Sequence, residues 1–161
     1  MKKIILIRHA KSSWDTITDD LTRPISKRGI KDAHLVSDVL KEHLPNKSII
    51  WTSPAKRAKE TATIFCQNMD LSLECVIIRE GLYTFEHSKL REEIKKCKND
   101  HDALILFGHN DAITKFVNKF GSETFDNVPT SGVVVINFDT DDWGSIESGV
   151  TELTIFPRDL K

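Results

Sequence analysis

Apolar residues follow two rhythms along the chain. Short unbroken runs (Ile4-Ile5-Leu6-Ile7, Ile49-Ile50-Trp51, Val76-Ile77-Ile78, Ala103 to Phe107 and Val133 to Phe138) alternate with longer stretches whose apolar positions recur every three or four residues. Unbroken runs of this length suit strands buried on both faces, and the longer rhythm suits amphipathic helices laid over them. The alternation predicts an α/β fold with a mostly parallel sheet.

Strands are predicted over Lys3–Ile7, Ser48–Thr52, Val76–Ile78, Ala103–Phe107 and Val133–Phe138, with a final edge strand over Thr151–Phe156, antiparallel to its neighbour. The first helix is predicted from Ser26 as N-cap to His43, with Ile30, Ala33, His34, Val36, Val39 and Leu40 facing inward. Ser53-Pro54 reads as N-cap and first position of a second helix reaching Asn68, because proline fits the first turn of a helix. A charged stretch, Ser88–Lys98, reads as a solvent-facing helix, and Asp111–Phe120 as the last helix. Lys11–Pro24 and Gly121–Ser131 read as loops.

A length of 161 residues, 39% hydrophobic and 29% charged, describes one globular domain over residues 1–161. The net charge of −1 argues against a nucleic-acid surface. The apolar run after Met1-Lys2-Lys3 stops at Arg8, too soon for a secretory signal, and no run reaches membrane-spanning length. Cys66, Cys75 and Cys97 lack a Cys-x-x-Cys spacing and read as free thiols, buried or inert, of a cytoplasmic protein.

The chemistry gathers at strand ends. Arg8-His9 follows the first apolar run, Gly108-His109 follows the fourth, and Thr52-Ser53-Pro54 follows the second with Arg57 one helical turn on. In an open α/β sheet, ligands bind beyond the carboxyl ends of the strands, so these segments deliver two histidines and two arginines to one edge. Arginine grips two oxygens of a phosphoryl group and keeps its charge. A histidine with one ring nitrogen free can become phosphorylated. His9 is the candidate nucleophile, Arg8, Arg57 and His109 the candidate donors to phosphoryl oxygens. Glu80, directly after the third strand, is the candidate proton donor. Guanidinium groups beside His9 are expected to keep it neutral.

Arg8-His9-Ala10-Lys11-Ser12-Ser13-Trp14-Asp15 resembles the signature of the histidine phosphatase superfamily, which also holds the cofactor-dependent phosphoglycerate mutases. Ser53 to Thr61, Glu80-Gly81-Leu82-Tyr83 and Gly108-His109-Asn110 resemble that superfamily's other motifs, in the same order. Arg23-Pro24-Ile25-Ser26 and Val128 to Val133 resemble its SixA-like phosphohistidine phosphatases. The resemblance implies a phosphoglycerate mutase-like three-layer sandwich with helices on both sheet faces. It implies a phospho-His9 intermediate, a pocket of Arg8, Arg57 and His109, and no metal or cofactor. Ala10 departs from the glycine common in the superfamily. Asp15 stands where the mutase-like motif has asparagine, which counts against a mutase.

Only 29 positions separate Glu80 from His109, and a helix and a strand fill them. No room remains for a cap, so the pocket should be shallow and open. That suits phosphohistidine displayed on a protein such as a phosphotransfer domain or phosphocarrier. A small phosphomonoester, or phosphate binding without turnover, are the alternatives. Lys11, Ser12 and Arg23 are candidates for touching the substrate. Asn110 is another, or else caps the helix after it. Trp14 is expected to flank the site, Trp51 to be core, and His34, His43, His87 and His101 to be surface or packing residues.

Overall fold

The computed structural model describes residues 1–15 and 18–161, which form one six-stranded sheet flanked by helices. The strands are β1 (Lys2–Arg8), β2 (Ile49–Thr52), β3 (Val76–Ile78), β4 (Ala103–Gly108), β5 (Val133–Phe138) and β6 (Val150–Ile155), in the order β3-β2-β4-β1-β5-β6. The first four in that order run parallel; β5 is antiparallel to β1 and β6 antiparallel to β5. Two of the unbroken apolar runs occupy the centre, Ile4 to Ile7 and Leu104 to Phe107 being wholly buried, whereas β3 lies at the sheet edge with Ile77 and Ile78 exposed. Their alternate side chains feed two cores. Helices α1 (Lys27–Leu40) and α2 (Lys56–Asn68) pack over Ile5, Ile7, Ile105 and Phe107. Helices α3 (His87–Ile94) and α4 (Ala112–Phe120) cover Ile4, Leu6, Leu104 and Leu106. The result is the three-layer sandwich that the resemblance implied. Among the described residues, no helix is long and apolar enough to cross a membrane.

Ser26 caps α1 as its position predicts, accepting the Gly29 N–H at 3.0 Å. The inward face is rotated from the predicted one. Ile30 and His34 are exposed, while Gly29, Asp32 and Ser37 are buried beside Ala33, Val36 and Leu40. Gly29 sets this rotation: a Cβ there would lie 2.3 Å from the Lys11 carbonyl oxygen, so the helix backbone abuts the loop after β1. Asp32 is tolerated inside because Lys161 lies 3.0 Å from its carboxylate. The helix gives way to a 3-10 turn at Lys41–His43.

Two other boundaries differ. Helix α2 begins at Lys56, with Ala55 rather than Ser53 at its N-cap. Helix α3 ends at Ile94, and its face is not wholly wet: Glu93 is buried, 2.6 Å from Arg79 and 3.2 Å from Lys96. Trp51 is core as expected. Of the thiols, Cys66 and Cys97 are buried and burial pushes each up to about 11, whereas Cys75 is exposed.

Candidate active site

Strands β2, β4 and β1 are neighbours, and their carboxyl ends deliver the basic groups to one edge. Arg8 lies in register with Gly108, and the His9 N–H donates to the Gly108 carbonyl at 3.0 Å. His9 and His109 therefore leave adjacent strands side by side, their ring centroids 5.3 Å apart. The Ser53 N–H donates to Phe107 at 3.0 Å, which ties the end of β2 to the same edge. In the first turn of α2, Arg57 is 2% exposed, with Nε 3.4 Å from His9 Nε2 and Nη2 3.4 Å from His109 Nδ1.

His9 Nδ1 is 2.7 Å from the Ala10 carbonyl. A carbonyl only accepts, so Nδ1 carries the hydrogen and Nε2 keeps its lone pair. The bend that makes this possible is pinned by Thr61, whose hydroxyl accepts the Ala10 N–H at 2.8 Å and donates to the Arg57 carbonyl at 2.7 Å. Burial lowers the His9 titration to about 4; the Ala10 bond opposes this, and Arg57, Arg8 and Arg23 reinforce it. The neutral state is the expected one, with desolvation a larger cause than the guanidinium charges. His109 is lowered to about 3, first by burial and then by His9 and Arg57. Its Nε2 lies 2.7 Å from Ser53 Oγ.

These groups floor a cleft of about 340 Å³. Arg8 donates through Nη1 to the Val128 carbonyl at 2.9 Å, and its buried Nε has no partner among the described residues. Lys11, Ser12, Arg23 and Asn110 all line the cleft, as does Trp14. Arg23 bonds the Ser12 hydroxyl and lies 4.0 Å over the Trp14 ring. The Asn110 amide is committed within the protein: Nδ2 donates to Asn127 at 2.8 Å, and Oδ1 accepts the Thr114 N–H at 3.1 Å and its hydroxyl at 2.9 Å. Asn110 thus restrains the start of α4, the capping alternative, rather than offering a free amide to substrate.

Glu80, the candidate proton donor, stands apart from these groups. It is exposed at the head of a 3-10 turn, Glu80–Leu82, and does not line the cleft. Its strand, β3, is the sheet edge, with β2 and β4 between it and β1. At roughly 4.8 Å per strand, the end of β3 lies about 14 Å from that of β1. The chain after the turn closes the distance, so Phe85 lines the cleft and Tyr83 lies with its ring 5.3 Å from that of His109.

Among the described residues, the carboxylate that lines the cleft is Asp20. It accepts from Arg57 Nη2 at 3.0 Å, from Arg23 Nη2 at 2.8 Å and from the Tyr83 hydroxyl. Against the burial that opposes them, the Tyr83, Arg23 and Arg57 bonds hold its carboxyl well below the usual range. Sequence pattern gives Asp20 and Phe85 no mark, Tyr83 only a place in the motif that begins at Glu80, and Ser53 the mark of a helix cap. Among the described residues, no group of three His, Cys, Asp or Glu side chains is placed to hold a metal ion.

The model of the histidine phosphatase superfamily (branch 1) matches residues 4–112. An uncharacterized protein of Mycobacterium tuberculosis, Rv1276c, is 26% identical over 160 residues, covering 93% of this chain and 98% of that one. Phosphoserine phosphatase 1 of Hydrogenobacter thermophilus is 38% identical over 91 residues, covering 54% of this chain and 40% of that protein. The solved structure of the protein histidine phosphatase SixA complexed with tungstate superposes with a TM-score of 0.83 at 18% identity, over 99% of both chains. That of mycobacterial glucosyl-3-phosphoglycerate phosphatase Rv2419c gives 0.67 at 11% identity, over 95% of this chain and 98% of that one. At such identities the structural likeness speaks for the fold.

Proposed function

The chain belongs to the histidine phosphatase superfamily, and from that membership we propose that it hydrolyses phosphohistidine in a protein substrate through a phospho-His9 intermediate. One observation carries the chemistry: a buried imidazole with Nδ1 held by the Ala10 carbonyl at 2.7 Å and an unprotonated Nε2 that faces the cleft and accepts only a long bond, 3.4 Å, from Arg57 Nε.

His9 Nε2 attacks phosphorus. The new P–N bond forms as the substrate's P–N bond breaks, and that electron pair leaves with the substrate imidazole. The leaving ring departs neutral when its remote nitrogen carries a proton, so no strong acid is needed at the scissile atom. This suits a cleft from which Glu80 is absent. Arg8, Arg57 and His109 hold the equatorial oxygens as charge shifts onto them. A guanidinium only donates, so His109 Nδ1 accepts from Arg57 Nη2 at 3.4 Å and Nε2 carries the hydrogen. Nε2 gives it at 2.7 Å to the Ser53 hydroxyl oxygen, which also accepts the Ala55 N–H at 3.2 Å. A phosphoryl dianion that takes over Arg57 favours a second proton on the ring, and Nδ1–H is then the donor. Water then attacks phospho-His9. The P–N bond breaks and its electron pair returns to Nε2. Because the Ala10 carbonyl keeps a hydrogen on Nδ1, His9 leaves as neutral imidazole.

The rim supports a protein substrate. Trp14 is 78% exposed and Phe85 52%, both at the mouth of the cleft. Each is held on one side, Trp14 by the Arg23 guanidinium and Phe85 by the His109 ring at 5.7 Å. Restrained aromatics with an open face suit contact with a protein surface. Related phosphatases that act on small molecules make a small phosphomonoester the second reading. Free thiols fit action in the cytoplasm.

The test compares a phosphohistidine carrier, phosphoramidate and a panel of metabolite phosphates, with and without a chelator. His9→Ala is expected to abolish turnover, and the chelator to leave it unchanged. Trp14→Ala and Phe85→Ala are expected to lower kcat/KM on the carrier about tenfold while sparing phosphoramidate. Preference for one metabolite would overturn the protein substrate; full activity in His9→Ala would overturn the mechanism.

A further inference from the structure

An anion-binding cleft that contains its own anion invites an explanation. Asp20 takes hydrogen bonds from Arg57 at 3.0 Å, from Arg23 at 2.8 Å and from the Tyr83 hydroxyl, and its backbone carbonyl accepts from Arg57 Nη1. The partners differ in freedom. Arg57 is 2% exposed and lies against both imidazoles. Arg23 is 12% exposed, bonded to Ser12 and stacked on Trp14. The Asp20 side chain is 45% exposed, on the loop between β1 and α1. The guanidiniums are fixed by packing, and the carboxylate is the partner able to withdraw toward water.

We propose that Asp20 is an internal competitor for phosphate: its carboxylate holds Arg57 and Arg23 in the empty enzyme, yields them to an incoming phosphoryl group, and thereby sets how tightly the cleft binds phosphate. This rests on reading the cleft as a phosphoryl site. A phosphoryl dianion offers three oxygens and twice the charge of a carboxylate, so it wins the exchange of charge-assisted bonds. The bonds it displaces are subtracted from its affinity. Inorganic phosphate carries the same oxygens as the group transferred, so a cleft without this competitor would retain its product. The returning carboxylate favours release.

The sign of the effect separates this role from a structural one. If Asp20 served only to position Arg57 and Arg23, removing its charge would loosen them and weaken phosphate binding. If it competes, Asp20→Asn tightens binding. Titration of inorganic phosphate into wild type and Asp20→Asn at neutral pH, followed by calorimetry, is expected to give a dissociation constant about tenfold lower in the variant. Equal or weaker binding in the variant overturns the proposal while leaving the phosphoryl site standing. Failure of both proteins to bind phosphate overturns the site itself and this inference with it. A crystal structure of the wild type with tungstate gives a reading without any substitution. Asp20 is expected to have left Arg57 and Arg23, and a carboxylate still on both beside a bound oxyanion overturns the proposal.

Discussion

Burying two neutral imidazoles, His9 and His109, makes the protein acid-sensitive, and the share of His9 can be worked out. His9 has its titration lowered from 6.5 to about 4. In that interval the unfolded chain binds a proton that the native state refuses, so stability is complete above pH 6.5 and declines as pH falls toward 4. At pH 5 an unfolded imidazole is roughly 97% protonated and His9 roughly 9%, which removes about 2 kcal/mol of the stability present at pH 8. That is a large share of a native margin of about 5–15 kcal/mol. The substitution that isolates this is His9→Asn, whose amide nitrogen can still reach the Ala10 carbonyl but does not titrate. Urea unfolding of both proteins at pH 8 and pH 5 yields two losses. Both proteins carry His109→Asn, because His9 also lowers His109 and the two would otherwise change together; the remaining titrating groups contribute to each loss and cancel in the difference. The loss with His9 in place is expected to exceed that of the His9→Asn protein by about 2 kcal/mol. Equal losses would refute the claim that desolvation holds this ring neutral. Phosphate, which favours imidazolium, is expected to shrink the loss with His9 in place.

Other outcomes follow from single contacts. Ser53→Ala removes the group 2.7 Å from His109 Nε2, so kcat is expected to fall at least about tenfold with the circular dichroism spectrum unchanged. Gly29→Ala places a Cβ 2.3 Å from the Lys11 carbonyl, which forces helix and loop apart. It is expected to lower stability by about 1–3 kcal/mol in denaturant titration and, because Lys11 lines the cleft, to raise KM.

The parts of this molecule readable in advance are those specified by short-range pattern. Buried strands show as unbroken apolar runs because both their faces need covering. Arg8, His9 and His109 follow such runs directly, so their place at the sheet edge was implied by the strands. Arg57 was legible as the first turn of the helix after β2. What was hidden depends on contacts between distant segments. Nothing in Asp19-Asp20-Leu21-Thr22 shows that one carboxylate reaches Arg57 and Tyr83, because a polar loop has no period. Ser53 before proline carries the local mark of a helix cap, and only the arrival of His109 from β4 gives its hydroxyl a different partner. Glu80 misled for the opposite reason: its position after a strand was right, but the order of strands in the sheet left that strand at the margin. Ile30 and Glu93 were misjudged because a glycine contact and a buried ion pair override helical periodicity.

The reversal of direction at β5 has a use beyond completing the sheet. Because β5 runs against β1, the segment entering it arrives where β1 ends: the Ser131 N–H donates to the Arg8 and His9 carbonyls at 3.1 and 3.2 Å, and Val128 receives Arg8. One wall of the cleft is thus a strand's approach rather than its exit. Residues 121–127 lead up to that wall from the end of α4 and are fastened to it: Asn127 accepts from Asn110, the neighbour of His109, at 2.8 Å, and Asn118 bonds both backbone groups of Phe125 at 2.8 Å. A change along that approach is therefore passed to the imidazoles and not confined to the rim.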